Sequence, residues 1–139
     1  MRYTLLMHYP EPKEGELELP PEAMQEAQAQ MSAYVTALHQ AGVLLSAEVL
    51  SPSPLTTTLT MVDGSVQVKD GPFADTKEQL GGTFVIDVDD LDAAIEWARQ
   101  APPLQWGAIE IRPGATHVVD GNWTMGEQSP DRCPSAPAE

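Results

Sequence analysis

Two turn signals near the middle of the chain divide it into halves of similar make-up. Asp63-Gly64 joins an alternating, β-branched run (residues 55–62) to a second one (65–68). An Asp-Gly pair between two such runs is a strong signal for a β-hairpin. Asp70-Gly71-Pro72 follows at once. Pro72 fixes its own φ and pushes Gly71 out of the α region, so the chain must turn again.

Before this centre, residues 2–9 are rich in β-formers and apolar on both sides of the alternation, which predicts a buried first strand. Residues 10–21 read as a polar, acidic loop. Pro21 suits a first helical turn, and Met24, Ala27, Met31, Tyr34, Val35 and Leu38 form one stripe at spacings of three and four. That is an amphipathic helix over 22–41, ended by Gly42. Residues 43–50 predict a second strand, broken by Ser51-Pro52-Ser53-Pro54. After the centre, residues 83–88 predict a strand. Asp89-Asp90-Leu91-Asp92 opens a helix with Leu91, Ala94, Ile95 and Ala98 inward, and residues 107–112 close as a strand before Pro113-Gly114.

The order is therefore strand–helix–strand, an inserted hairpin, then strand–helix–strand. This predicts an α+β fold, a ferredoxin-like split βαβ with its helices on one face of an antiparallel sheet. The apolar face left uncovered needs a cover, and a second copy of the chain supplies one, so a homodimer is expected. Residues 1–114 make up this domain. Residues 116–125, around Asp120-Gly121, predict a small extra hairpin, and 126–139 an aperiodic, disordered tail.

Charge narrows the partners. Against 21 acidic residues stand 7 basic ones, a formal net charge of −14. Nucleic acid and anionic membrane surfaces both require basic patches, so neither is an expected partner. The single cysteine, Cys133, excludes a disulfide within the chain, and no His/carboxylate spacing resembles a metal site. The N-terminal apolar run is too short for a signal peptide or a membrane span, so the expected location is cytoplasmic.

The central stretch Asp70-Gly71-Pro72-Phe73-Ala74-Asp75-Thr76-Lys77-Glu78-Gln79-Leu80-Gly81-Gly82 resembles the DGPF-type branch of the YCII-related proteins. Arg2-Tyr3-Thr4-Leu5-Leu6-Met7, Asp90-Leu91-Asp92-Ala93-Ala94 and Glu110-Ile111-Arg112-Pro113 extend the resemblance over about residues 1 to 114. It implies a dimeric α+β barrel. Relatives in the wider group are proposed to use a His–Asp pair, and one lineage removes chloride from a hydroxylated aromatic. The histidine of that pair would stand on the first helix, where this chain has only His39 in the last turn.

Each candidate site residue has a chemical and a structural reading. Asp70 would be a general base, or would hold the Gly71-Pro72 turn through its carboxylate. Lys77 would stabilise an oxyanion or bind a substrate carboxylate, or would pair with Asp75 or Glu78. Asp75 and Glu78 read as a capping box on one short helical turn stopped by Gly81. Phe73 would plug the core below the loop or contribute to a substrate site. His8, ending the first strand, would be a proton shuttle or a structural histidine. Glu110 and Arg112 share one strand face, where Arg112 would clamp an anion or the two would form cross-strand ion pairs. The function expected is cofactor-free acid–base chemistry on a small cyclic or aromatic metabolite near the central loop. The alternative is a non-catalytic dimer that binds a small ligand or a regulatory partner.

Overall fold

The computed structural model describes residues 1–12 and 19–125. Strand β1 (Arg2–Pro10) lies at the centre of a four-stranded antiparallel sheet. It pairs with β5 (Glu78–Asp87) on one side and β6 (Ala108–Pro113) on the other, and β2 (Leu44–Val49) completes the order β2-β5-β1-β6. Helix α1 (Pro21–Gln40) connects β1 to β2, and α2 (Leu91–Arg99) connects β5 to β6. This is the α+β, ferredoxin-like arrangement expected. The predicted tail at 126–139 lies outside the described residues, as does half of the acidic loop at 10–21.

Alternation along β1 sets the two faces. Tyr3, Leu5 and Met7 point to the helices and are buried with Phe84 and Ile86 of β5 against Tyr34, Leu38, Ala94 and Ala98. Tyr34 and Phe84 meet edge to face, with ring centroids 5.6 Å apart. The Tyr34 hydroxyl donates to the Trp97 carbonyl at 2.9 Å, tying α1 to α2. Asp90 caps α2 by accepting from the Ala93 N–H at 2.8 Å.

Thr4, Leu6 and His8 point the other way, to a face that no described element covers. The expectation that β1 would be buried on both sides is corrected here: its even-numbered residues are only half-buried. Both helices lie on one side, so only one face of the sheet gains a cover.

Between β2 and β5 the chain leaves the sheet. A short 3-10 turn (Ser53–Leu55) leads into β3 (Thr57–Val62) and β4 (Ser65–Asp70), which form a separate two-stranded ribbon. Its turn has Asp63 at φ 49° and Gly64 at φ 80°, the paired positive angles of a two-residue hairpin turn. A second ribbon of β7 (Thr116–Val119) and β8 (Asn122–Met125) turns at Asp120-Gly121 in the same way.

The central loop differs from its expected form. No helical turn occurs at 75–81. Strand β5 begins at Glu78 rather than at 83, and Glu78, Gln79 and Leu80 pair with Pro10, Tyr9 and His8. The capping box does not form because its residues are drawn into the ladder with β1. The Gln79 amide instead donates to the carbonyls of Ala74 and Thr76. Phe73 does not plug the core: it is 85% exposed.

Candidate functional site

The antiparallel register of β1 with β6 sets Leu6 opposite Glu110 and His8 opposite Ala108. His8 and Glu110 are thus diagonal neighbours on the uncovered face. Nε2 of His8 stands 2.6 Å from Oε1 of Glu110. The carboxylate approaches off the N–H axis, so this is a close polar contact without a well-aligned hydrogen bond. The His8 side chain is 27% exposed and that of Glu110 57%. The pair is therefore half sheltered: His8 Nε2 is buried, and Glu110 is the more open partner.

Three local features hold His8 in place. The β1–β5 register slips between Met7 and His8, leaving Gly81 as an extra residue in β5. The Tyr9 hydroxyl donates to the Gly81 carbonyl at 3.1 Å. At Gly107, just before β6, a Cβ would fall inside van der Waals contact of the His8 carbonyl oxygen, so only glycine lets β6 approach this closely. Burial, and secondarily the Glu11 carboxylate, push the Tyr9 phenol above its ordinary range. Tyr9, next to His8 in β1 but packed against the helix-side core, is accordingly a neutral hydrogen-bond donor at physiological pH.

Around the pair the uncovered face is mixed. Leu6 and Leu80 flank His8, and Val85 lies one row away beside Thr4. Arg112 pairs in register with Thr4, two residues beyond Glu110 on the same face, and is exposed. It makes no salt bridge among the described residues. Apolar contact area, a free guanidinium and a His–carboxylate pair thus share one face. Such a set can hold a small anionic ligand and exchange a proton with it.

Asp70 and Lys77 make no hydrogen bond or ion pair with His8 or Glu110 among the described residues. Asp70 ends β4 opposite Thr57 and is exposed, with no side-chain hydrogen bond among the described residues. The turn is held instead by backbone and threonine: Gly71 N–H donates to Thr56 C=O at 2.7 Å, and Thr58 Oγ1 donates to Gly71 C=O at 2.7 Å. Lys77 is exposed and forms no ion pair among the described residues. The Lys77–Asp75 and Lys77–Glu78 pairings expected from the sequence are not present.

One anchor of the loop's base is invisible in local sequence. Glu11, just past β1, accepts from the backbone N–H of Ser53 at 2.9 Å and from its hydroxyl, joining residues 42 apart. Among the described residues no group of three or more His, Cys, Asp or Glu side chains is placed to hold a metal ion. No helix described is long and apolar enough to cross a membrane.

Two comparisons place this face among known proteins. The family model of the YCII-related domain matches residues 1–124, which includes every strand contributing to the site. An uncharacterized protein of Rhizobium meliloti is 42% identical over 81 residues, 56% of this chain. The match spans 64% of that relative's length.

Proposed function

From the premise that the chain belongs to the YCII-related domain family, we propose that it acts as a cytoplasmic homodimer that binds a small anionic metabolite at the uncovered sheet face and performs acid–base chemistry there. One observation carries this reading: His8 and Glu110, from two different strands, converge at 2.6 Å on the sheet face that the described helices leave open. In this reading Glu110 orients the imidazole, and His8 gives or takes the proton. Arg112 holds the anionic group, and Leu6, Leu80 and Val85 face the apolar body of a cyclic or aromatic ligand. A second copy facing the sheet would close the site from water.

The exposed positions of Asp70, Lys77 and Phe73 favour a different role for them. They fit a rim that admits ligand or meets a partner. The same placement supports a second reading, a dimer that binds its ligand without turning it over.

Thermal-shift and calorimetric titration with a panel of small ring carboxylates and phenols test the first reading. Members of the panel should stabilise the wild type and lose most of their effect in Arg112→Met and Glu110→Gln. Equal binding by wild type and both variants would overturn the assignment of this face. Ligand turnover by the wild type that vanishes in His8→Asn, with binding kept, separates the enzyme from the binding module.

A further inference from the structure

The ribbon of β3 and β4 carries an apolar face that no described part of the chain covers. Register pairs Leu59 with Val68 and Met61 with Val66, so the four side chains lie together on one side. They are 62%, 68%, 67% and 57% exposed, respectively. The other side holds Thr58, Thr60, Gln67 and Lys69. The ribbon pairs with no strand of the main sheet. A lone two-stranded hairpin is marginal in water, so an ordered ribbon of this kind calls for something to pack on.

We infer that this arm seats its apolar face on a second copy of the chain, as a contact additional to the sheet face. Area supports a second copy: the four side chains leave roughly 500 Å² open, at the upper end of what a stable monomer exposes. Exchanged in pairs about a twofold axis, two arms and the surfaces they cover bury about 2,000 Å², the size of a stable protein interface. Against 21 acidic residues the chain has 7 basic ones, an excess that opposes docking on an anionic membrane.

The inference rests on the two-copy reading above, and the experiment separates the two. Sedimentation equilibrium would compare the wild type, a doubly substituted arm (Leu59→Glu with Val68→Glu) and a sheet-face variant, Val85→Glu. The arm variant should keep its far-UV circular dichroism and raise the dimer dissociation constant about 100-fold or more. A dimer unchanged by the arm substitutions overturns the arm contact and leaves the sheet-face dimer standing. A wild type that stays monomeric overturns both.

Should the arm variant fail to fold, hydrogen exchange in the wild type decides. Amides of 57–70 that are protected at high protein concentration and exchange faster on dilution support the contact. Exchange rates independent of concentration overturn it.

Discussion

His8 and Glu110 are 102 residues apart in the chain and 2.6 Å apart in the fold, joined by the pairing of β1 with β6. Neither element alone makes the pair. The strand that starts the sheet and the strand that ends it must lie side by side, which only the split βαβ topology achieves. A site built this way is as well positioned as the sheet itself.

Because the pair is half exposed, its removal should have little effect on folding. Glu110→Gln should change stability by less than about 1 kcal/mol, the range of solvent-accessible ion pairs. Chemical denaturation at one fixed protein concentration measures this. A loss several times larger would make the pair a structural strut and count against its proposed role with ligand.

The two glycines beside the pair should respond differently to the same methyl group. At Gly107 the added Cβ meets the backbone carbonyl of His8, which can move only by shifting β1 against β6. Gly107→Ala should therefore cost about 2–3 kcal/mol, as overpacking against a fixed neighbour does. At Gly81 the Cβ meets the far end of the Tyr9 ring, which can swing away and give up its hydrogen bond to the Gly81 carbonyl. Gly81→Ala should cost about 1 kcal/mol, the worth of that bond. Thermal denaturation of both variants would give the order, and a reversed order would contradict the packing described for His8.

The chain's two phenylalanines make a second contrasting pair. Phe84 is 1% exposed in the core, and Phe73 is 85% exposed on the central loop. Phe84→Ala should lose about 3–5 kcal/mol through the cavity it leaves. Phe73→Ala should change monomer stability by less than about 0.5 kcal/mol. Denaturant titrations at low protein concentration compare the two. A large loss at Phe73 would mean that the loop folds onto the core after all.

The same contrast shows where the sequence was legible. Strands and helices were readable because their apolar residues recur with the period of the element. The hairpin at Asp63-Gly64 was readable because only a few residues tolerate its backbone angles. The loop at 75–81 departs from its expected form because Asp75 and Glu78 have capping spacing, and local spacing cannot show that β1 pairs with Glu78, Gln79 and Leu80. A large aromatic ring beside a turn is expected to plug the core below it, but nothing local says where the loop will point Phe73. His8 and Glu110 were each singled out, but as separate candidates, since their partnership depends on which strands become neighbours. The Glu11–Ser53 contact left no signal, because nothing in either segment marks the other.

The alkaline limb of stability should belong largely to Tyr34. Burial pushes its phenol up to about 12, from an ordinary value of 10.0. The folded state therefore holds this proton more tightly than the unfolded chain does. The associated stability is fully present below pH 10 and is lost as the pH rises through about 12. Tyr9, raised in the same direction, adds to the loss. Denaturant midpoints measured from pH 8 upward should stay level to about pH 10 and then fall, with tyrosinate absorbance appearing as the protein unfolds. Tyr34→Phe should lose about 1 kcal/mol at neutral pH, through the missing bond to the Trp97 carbonyl, and show a shallower alkaline fall. A variant with the same alkaline slope as wild type would show that another group governs that limb. Ionisation of Tyr34 in the still-folded protein near pH 10 would mean that the contact between α1 and α2 is looser than its 2.9 Å hydrogen bond implies.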